Sequence, residues 1–249
     1  MDGYFLEVCV DSYESAWEAK RGGADRLLLC GNLMLGGTTP DINLFYQIRN
    51  HIDDLEVQVL LRPRAGDFCY TENEFEVMKD GAAMFCDAGA QGIAVGFLTV
   101  DGDLDVARMD DLMTYTKGMD IVLNRAFDFC RDPMETLEQA KMLGLSAIIT
   151  SGQQPDCYKG RNLIARLAMN SGDVNIFACG GITSQNIESL LTVTGVNSYV
   201  MTGKKEKESP MRYRKNGFGT GLFKKEEYKL WYTDAQEIAK VRAILNFAK

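Results

Sequence analysis

Charged residues stand where apolar runs of this chain break off, and their types limit the chemistry it can attempt. The stretch Leu60 to Phe68, LLRPRAGDF, follows Val57 and Val59 and ends in Arg62, Arg64 and Asp67. Guanidinium groups clamp carboxylates and phosphates bidentately, so the two arginines could hold an anion, or pair with nearby carboxylates and lock the loop. The stretch NRAFD offers a second set, Asn124, Arg125 and Asp128. Glu7 shares a strand face with Cys9 and is a candidate general acid or base, or a partner for an arginine. Ser151 closes another apolar run, and Gly180 with Gly181 follows a third, at a place where a bound phosphate could approach the backbone. Glu7, Arg62, Arg64, Asp67, Arg125 and Asp128 are thus the catalytic candidates. Arg62, Arg64, Asn124, Arg125, Ser151, Gly180 and Gly181 are the ligand-binding ones. The single histidine, His51, ends a helical pattern beside Asp53 and Asp54, reads as a solvated surface residue, and leaves no Ser/His/Asp triad to build.

These residues need a scaffold that gathers strand ends. Apolar strands are expected near Tyr4 to Asp11, Arg26 to Cys30, Val57 to Leu61, Gly92 to Gly96, Ile121 to Leu123, Ala147 to Thr150, Val174 to Ala178 and Ser198 to Met201, alternating with helical patterns. Pro63 and Gly66 place Arg62, Arg64 and Asp67 on a loop. Thr71 with Glu74 predicts a capping box, and Asp132 followed by Pro133 the clearest helix start. Asp11 with Glu14, Thr39 before Pro40, and Thr233 with Gln236 are further predicted helix starts. Eight strands alternating with helices over 249 residues predict a (β/α)8 barrel spanning residues 1–249 as one domain, with a doubly wound open sheet as the alternative. In either fold the carboxyl ends of the strands form the working end, which gathers Glu7, Cys9, Cys30, Arg62, Arg64, Asn124, Arg125, Asp128, Ser151 and Cys179 at one mouth.

A net charge of −8 argues against nucleic acid as the main partner, since backbone phosphates need clustered positive charge. No apolar run approaches the roughly 20 residues needed to span a bilayer, and the first residues do not form a secretory signal, so a cytoplasmic location is expected. Seven scattered cysteines fit reduced thiols. Gly203 to Tyr232 departs from the acidic body with nine Lys or Arg against four Glu. It is expected to be a long basic loop excursion over the mouth or against a second subunit, ordered at Ser209 to Arg214 and mobile at Lys215 to Lys225.

With Glu7-Val8-Cys9, GGADR leading to Cys30, GGTTP, RPRAGDF, NRAFD, TSG and SPMRYR in one order, the chain resembles the CutC copper homeostasis family from about Phe5 to Tyr213. The resemblance implies a TIM-type barrel, a cytoplasmic homo-oligomer with a dimer favoured, and Cu(I) binding, with Cys9 and Cys30 as the metal ligands. Thiols at the ends of adjacent strands, about 4.8 Å apart, could approach one ion, and soft thiolates select Cu(I). The competing reading is a lyase, isomerase or hydrolase that binds a small anionic metabolite through Arg62, Arg64 and Arg125. Where such proteins carry Glu, His and His, this chain has Leu28, Asn124 and Val200. Each replacement removes a titratable group, so any chemistry shared by the relatives is expected to be lost or altered.

Overall fold

The computed structural model describes residues 3–215, 217, 219 and 227–248. Eight parallel strands close into a barrel: β1 (Phe5–Val10), β2 (Arg26–Leu29), β3 (Glu56–Leu60), β4 (Gly92–Val95), β5 (Asp120–Leu123), β6 (Ala147–Thr150), β7 (Asn175–Cys179) and β8 (Ser198–Met201). Register pairs Glu7 with Arg26 on one side of β1 and with Val200 on the other, which excludes the open doubly wound sheet. The helices are α1 (Tyr13–Arg21), α2 (Ile42–His51), α3 (Glu72–Asp87), α4 (Val106–Met113), α5 (Pro133–Met142), α6 (Arg161–Asn170), α7 (Ile187–Thr194) and α8 (Ala235–Phe247). Alternation of side chains along each strand separates two apolar sets. Leu6, Val8, Leu27, Leu29, Val57 and Val59 face outward, where they share a core with Phe45, Ile48, Phe85 and Leu190 of the helices. Cys9, Leu28, Cys30, Leu60, Ala94, Val122, Ile149, Phe177 and Val200 fill the interior of the barrel.

Helix starts that depend on neighbouring residues alone form as the sequence predicts. Thr71 Oγ1 accepts from Glu74 N (3.2 Å) and Glu74 Oε2 accepts from Thr71 N (2.8 Å). Asp132 Oδ1 accepts from the N–H groups of Met134 and Glu135 (2.9 and 3.1 Å) ahead of Pro133. Three other starts shift by one or two residues, because the predicted caps have distant partners. Ser12, not Asp11, caps α1, since Asp11 receives Lys204 Nζ and the N–H of Leu33. Asp41 replaces Thr39, whose hydroxyl accepts from Arg62 N (2.9 Å). Asp234 replaces Thr233, whose hydroxyl donates to Thr202 O (3.0 Å).

The basic segment is not a plain loop. Its two ends form an antiparallel ribbon, β9 (Lys204–Glu208) against β10 (Lys229–Thr233), pairing Lys204 with Thr233 and Glu208 with Lys229. Alternating Lys and Glu along β9 leave it mostly exposed and blunt its edge. The ribbon is fixed to the barrel by Thr233 N donating to Ser15 Oγ (3.2 Å) and by the Lys204–Asp11 ion pair. Most of the stretch expected to be mobile lies outside the described residues. Among the described residues no helix is long and apolar enough to cross a membrane.

Candidate functional site at the barrel mouth

A cavity of about 570 Å³ opens at the carboxyl ends of the strands, with Cys9, Arg125, Cys179, Gly180, Gly181 and Val200 in its wall and Lys204 and Lys205 at its rim. A larger groove of about 820 Å³ lies outside the barrel between α1 and the ribbon, lined by Tyr13, Trp17, Leu230 and Tyr232. It gathers no residue from the carboxyl ends of the barrel strands, so the mouth is the better place for chemistry.

Cys9 and Cys30 adjoin inside the barrel. Both are buried, among Leu28, Leu60 and Val200. Cys30 Sγ donates to Leu28 O at 3.5 Å, while the Cys9 thiol lies beside it. That neighbour, together with burial and the negative charge of Glu7, holds the Cys9 thiol well above its ordinary titration range, and Arg125 acts in the opposite direction. Cys179, at the end of β7, is pushed up to about 12, first by burial and then by Cys9. The strand-end rule brings Cys179 to the mouth, but its spacing in the sequence assigns it no partner. The donor set suits a soft monovalent cation: two adjoining thiols, an apolar surround and a nearby guanidinium to balance thiolate charge.

Glu7 turns away from the mouth, is fully buried, and accepts from Arg26 Nε at 2.5 Å. The arginine it holds comes from β2, its register neighbour, and packs over the rings of Phe5 (5.1 Å) and Phe177 (5.6 Å). Burial raises the Glu7 carboxyl above its usual range, and Arg26 offsets part of the rise.

The five charged loop residues separate into two groups. Arg62 is buried, stacks on Phe68 (4.7 Å), and donates to Gly37 O (3.0 Å), Gly66 O (2.5 Å) and Leu35 O (3.4 Å). Arg64 donates to Glu74 Oε1 (2.6 Å), Asp67 Oδ1 (3.1 Å) and Cys69 O (3.0 Å), and lies over Tyr70. Neither lines the cavity. Arg125 does, and its orientation is set from behind: Nε donates to Asp128 Oδ2 (2.7 Å) and Nη2 to Ser151 Oγ (2.8 Å). Asp128 is held in turn by Thr150 Oγ1 (2.5 Å) and the N–H groups of Ser151 (3.0 Å) and Gln153 (3.1 Å). Asn124 is buried, and its Oδ1 accepts from Ala126 N (2.8 Å), fixing the 3-10 turn that carries Arg125. Leu28 and Val200 are packed inside the barrel and can neither donate nor accept a proton. His51 is exposed at the end of α2.

The fold and mouth define a (β/α)8 barrel protein with a thiol pair and one braced arginine at its working end. A model described as the CutC family matches residues 4–205, and the chain belongs to that family. It is 36% identical over 245 residues to the copper homeostasis protein cutC homolog of Homo sapiens, covering 98% of this chain and 89% of the relative. It is 37% identical over 242 residues to the family protein CutC of Pasteurella multocida (strain Pm70), covering 96% of each. The crystal structure of CutC from Streptococcus agalactiae superposes with a TM-score of 0.76 at 25% identity, covering 80% of this chain and 98% of that one.

Proposed function

We propose that this chain serves copper homeostasis by binding Cu(I) as cargo through Cys9 and Cys30. The observation that carries the reading is the placement of two buried thiols beside each other inside the barrel, with Cys9 in the wall of the mouth cavity. Family membership adds to it, because the human relative bears the name of a copper homeostasis protein. Thiolates are the metal-binding form, so both protons must leave when the ion enters, and affinity rises with pH while Cys9 remains protonated in the empty site. Arg125 beside Cys9 favours that ionisation. A reducing cytoplasm would keep the thiols available, and a homodimer is the assembly we propose with it.

The test is anaerobic Cu(I) titration in competition with a chromophoric chelator. One ion per chain is expected for the wild type, with at least about a tenfold loss of affinity in Cys9→Ser/Cys30→Ser, corresponding to one lost soft ligand or more. Equal stoichiometry and affinity in the double variant would sink the proposal. The enzyme reading keeps one support, the free edge of Arg125 at the cavity. Nη1 and Nη2 of Arg62 and the guanidinium of Arg64 donate within their own loop and to its neighbours, and neither arginine lines the cavity.

A further inference from the structure

We infer that the mouth cavity binds a phosphate monoester, its phosphoryl group between Arg125 and Lys205 and its organic body against the apolar wall. The inference goes beyond copper binding and does not require it.

Arg125 is braced for such a task. Asp128 and Ser151 take Nε and Nη2, Nη1 has no partner among the described residues, and the side chain is 43% exposed at the cavity. One fixed edge and one open edge is how a guanidinium presents itself to an oxyanion without reorganising. Lys205, on β9, lines the same cavity. Its contact with Asp234 is long, 3.4 Å, and its side chain is 70% exposed, so little is lost if it turns to a ligand. The acidic residues of the lining are occupied. Both oxygens of Glu237 accept from Ser184, through its N–H (2.7 Å) and its hydroxyl (3.0 Å), and Asp234 Oδ1 caps α8 through Gln236 N (3.0 Å). Lys204 is committed to Asp11 and Trp231 O.

Part of the same wall is bare backbone. Gly180 and Gly181 have φ of +97° and +75°, conformations that admit glycine and little else. Their carbonyls accept from Cys157 N (3.0 Å) and Asn186 Nδ2 (2.7 Å), so the N–H groups are what this turn can present to a ligand. Two cations and a glycine turn in one cavity lining match an anion with oxygens in several directions, which a phosphoryl group has and a planar carboxylate lacks. The cavity, about 570 Å³, is far larger than one phosphate, and Leu33, Ile182, Val200 and Met201 give part of the remainder an apolar surface. A phosphate attached to an organic body fills it better than the free ion.

Calorimetric titration of the metal-free full chain with glycerol 3-phosphate and with inorganic phosphate, against chloride at matched ionic strength, tests this. Saturable binding of the monoester, tighter than that of inorganic phosphate, is expected. Arg125→Gln should weaken it about tenfold or more, the usual effect of a lost charge-assisted hydrogen bond. Lys205→Gln should weaken it about threefold, a solvent-screened effect at an exposed position where folding is not at risk. Lys205→Gln should leave Cu(I) affinity in the chelator competition unchanged, which separates this result from the fate of copper binding. No saturation above chloride, equal affinity for the two phosphates, or an undiminished phosphate affinity in Lys205→Gln would each overturn the inference.

Discussion

The loops after β3 and β5 carry the same pair at the same spacing, an arginine three residues before an aspartate, and they use it in opposite ways. Arg64 and Asp67 meet at 3.1 Å with the aspartate 70% exposed, whereas Arg125 and Asp128 meet at 2.7 Å with the aspartate 5% exposed. Asp67 has one other partner, the N–H of Cys69. Asp128 is satisfied by groups from β6 and the loop beyond it, so a neighbouring strand end holds the carboxylate and the carboxylate aims the arginine. In the first loop the aspartate helps the chain hold its own turn. In the second the same chemistry is turned towards a cavity. Spacing along the chain sets the ion pair, and burial by the adjoining strand end decides whether the arginine stays within its own turn or faces a cavity.

The sharpest way to break this comparison is to remove each aspartate. Asp128→Ala strands a partly buried guanidinium and several donors, and an effect of about 3–5 kcal/mol on unfolding in urea is expected. Asp67→Ala removes an exposed partner and should cost at most about 1 kcal/mol. Similar costs for the two would mean that burial does not distinguish the loops.

Arg62 sharpens the contrast from within the first loop. It donates to three backbone carbonyls and packs on Phe68, so Arg62→Ala should destabilise by about 2–3 kcal/mol, as expected for hydrogen bonds from a charged donor. Affinity for glycerol 3-phosphate should be unaltered in the folded variant. A selective loss of that affinity at unchanged stability would return Arg62 to the binding site.

Much of the architecture is legible in the sequence, because it is written in short-range patterns. The Thr71–Glu74 box and the Asp132–Pro133 start concern residues within three positions of each other, and both form. Asp11, Thr39 and Thr233 have equally good local credentials. They bond instead to Lys204, to the backbone of Arg62 and to Thr202, none of which a local motif reveals. The mouth is legible to the same extent. Alternation along the strands and the strand-end rule bring Cys9, Cys30, Arg125 and Cys179 to one end. The role of Lys205 is hidden, since it depends on β9 pairing with a strand more than twenty residues away. The burial of Asp128 is hidden too, because Thr150, Ser151 and Gln153 approach it only once the barrel closes.

The smallest expected effect concerns acid. Arg64 holds the Asp67 carboxyl below its usual range through its hydrogen bond, and Glu74 is held down first by the N–H of Thr71 and then by Arg64. A carboxylate with a depressed folded-state pKa binds fewer protons folded than unfolded, so its contribution to stability is present above the ordinary values of 3.8 and 4.5 and is lost as pH falls through the folded ones. Glu7 has the opposite sign: burial raises it, so its contribution is full below 4.5 and declines as pH rises towards the folded value. Whole-protein acid unfolding therefore mixes opposing slopes, and a difference between variants separates them. Comparing wild type with Arg64→Ala in urea at pH 7 and at pH 3 leaves the contribution of Glu7 common to both. The gap should be about 1 kcal/mol or less at pH 7, as expected for pairs this exposed, and should shrink at pH 3 as Asp67 and Glu74 take up protons. A gap of the same size at both values would assign the role of Arg64 to its carbonyl bonds and its packing over Tyr70, and the ion pairs of the first loop would then contribute nothing measurable.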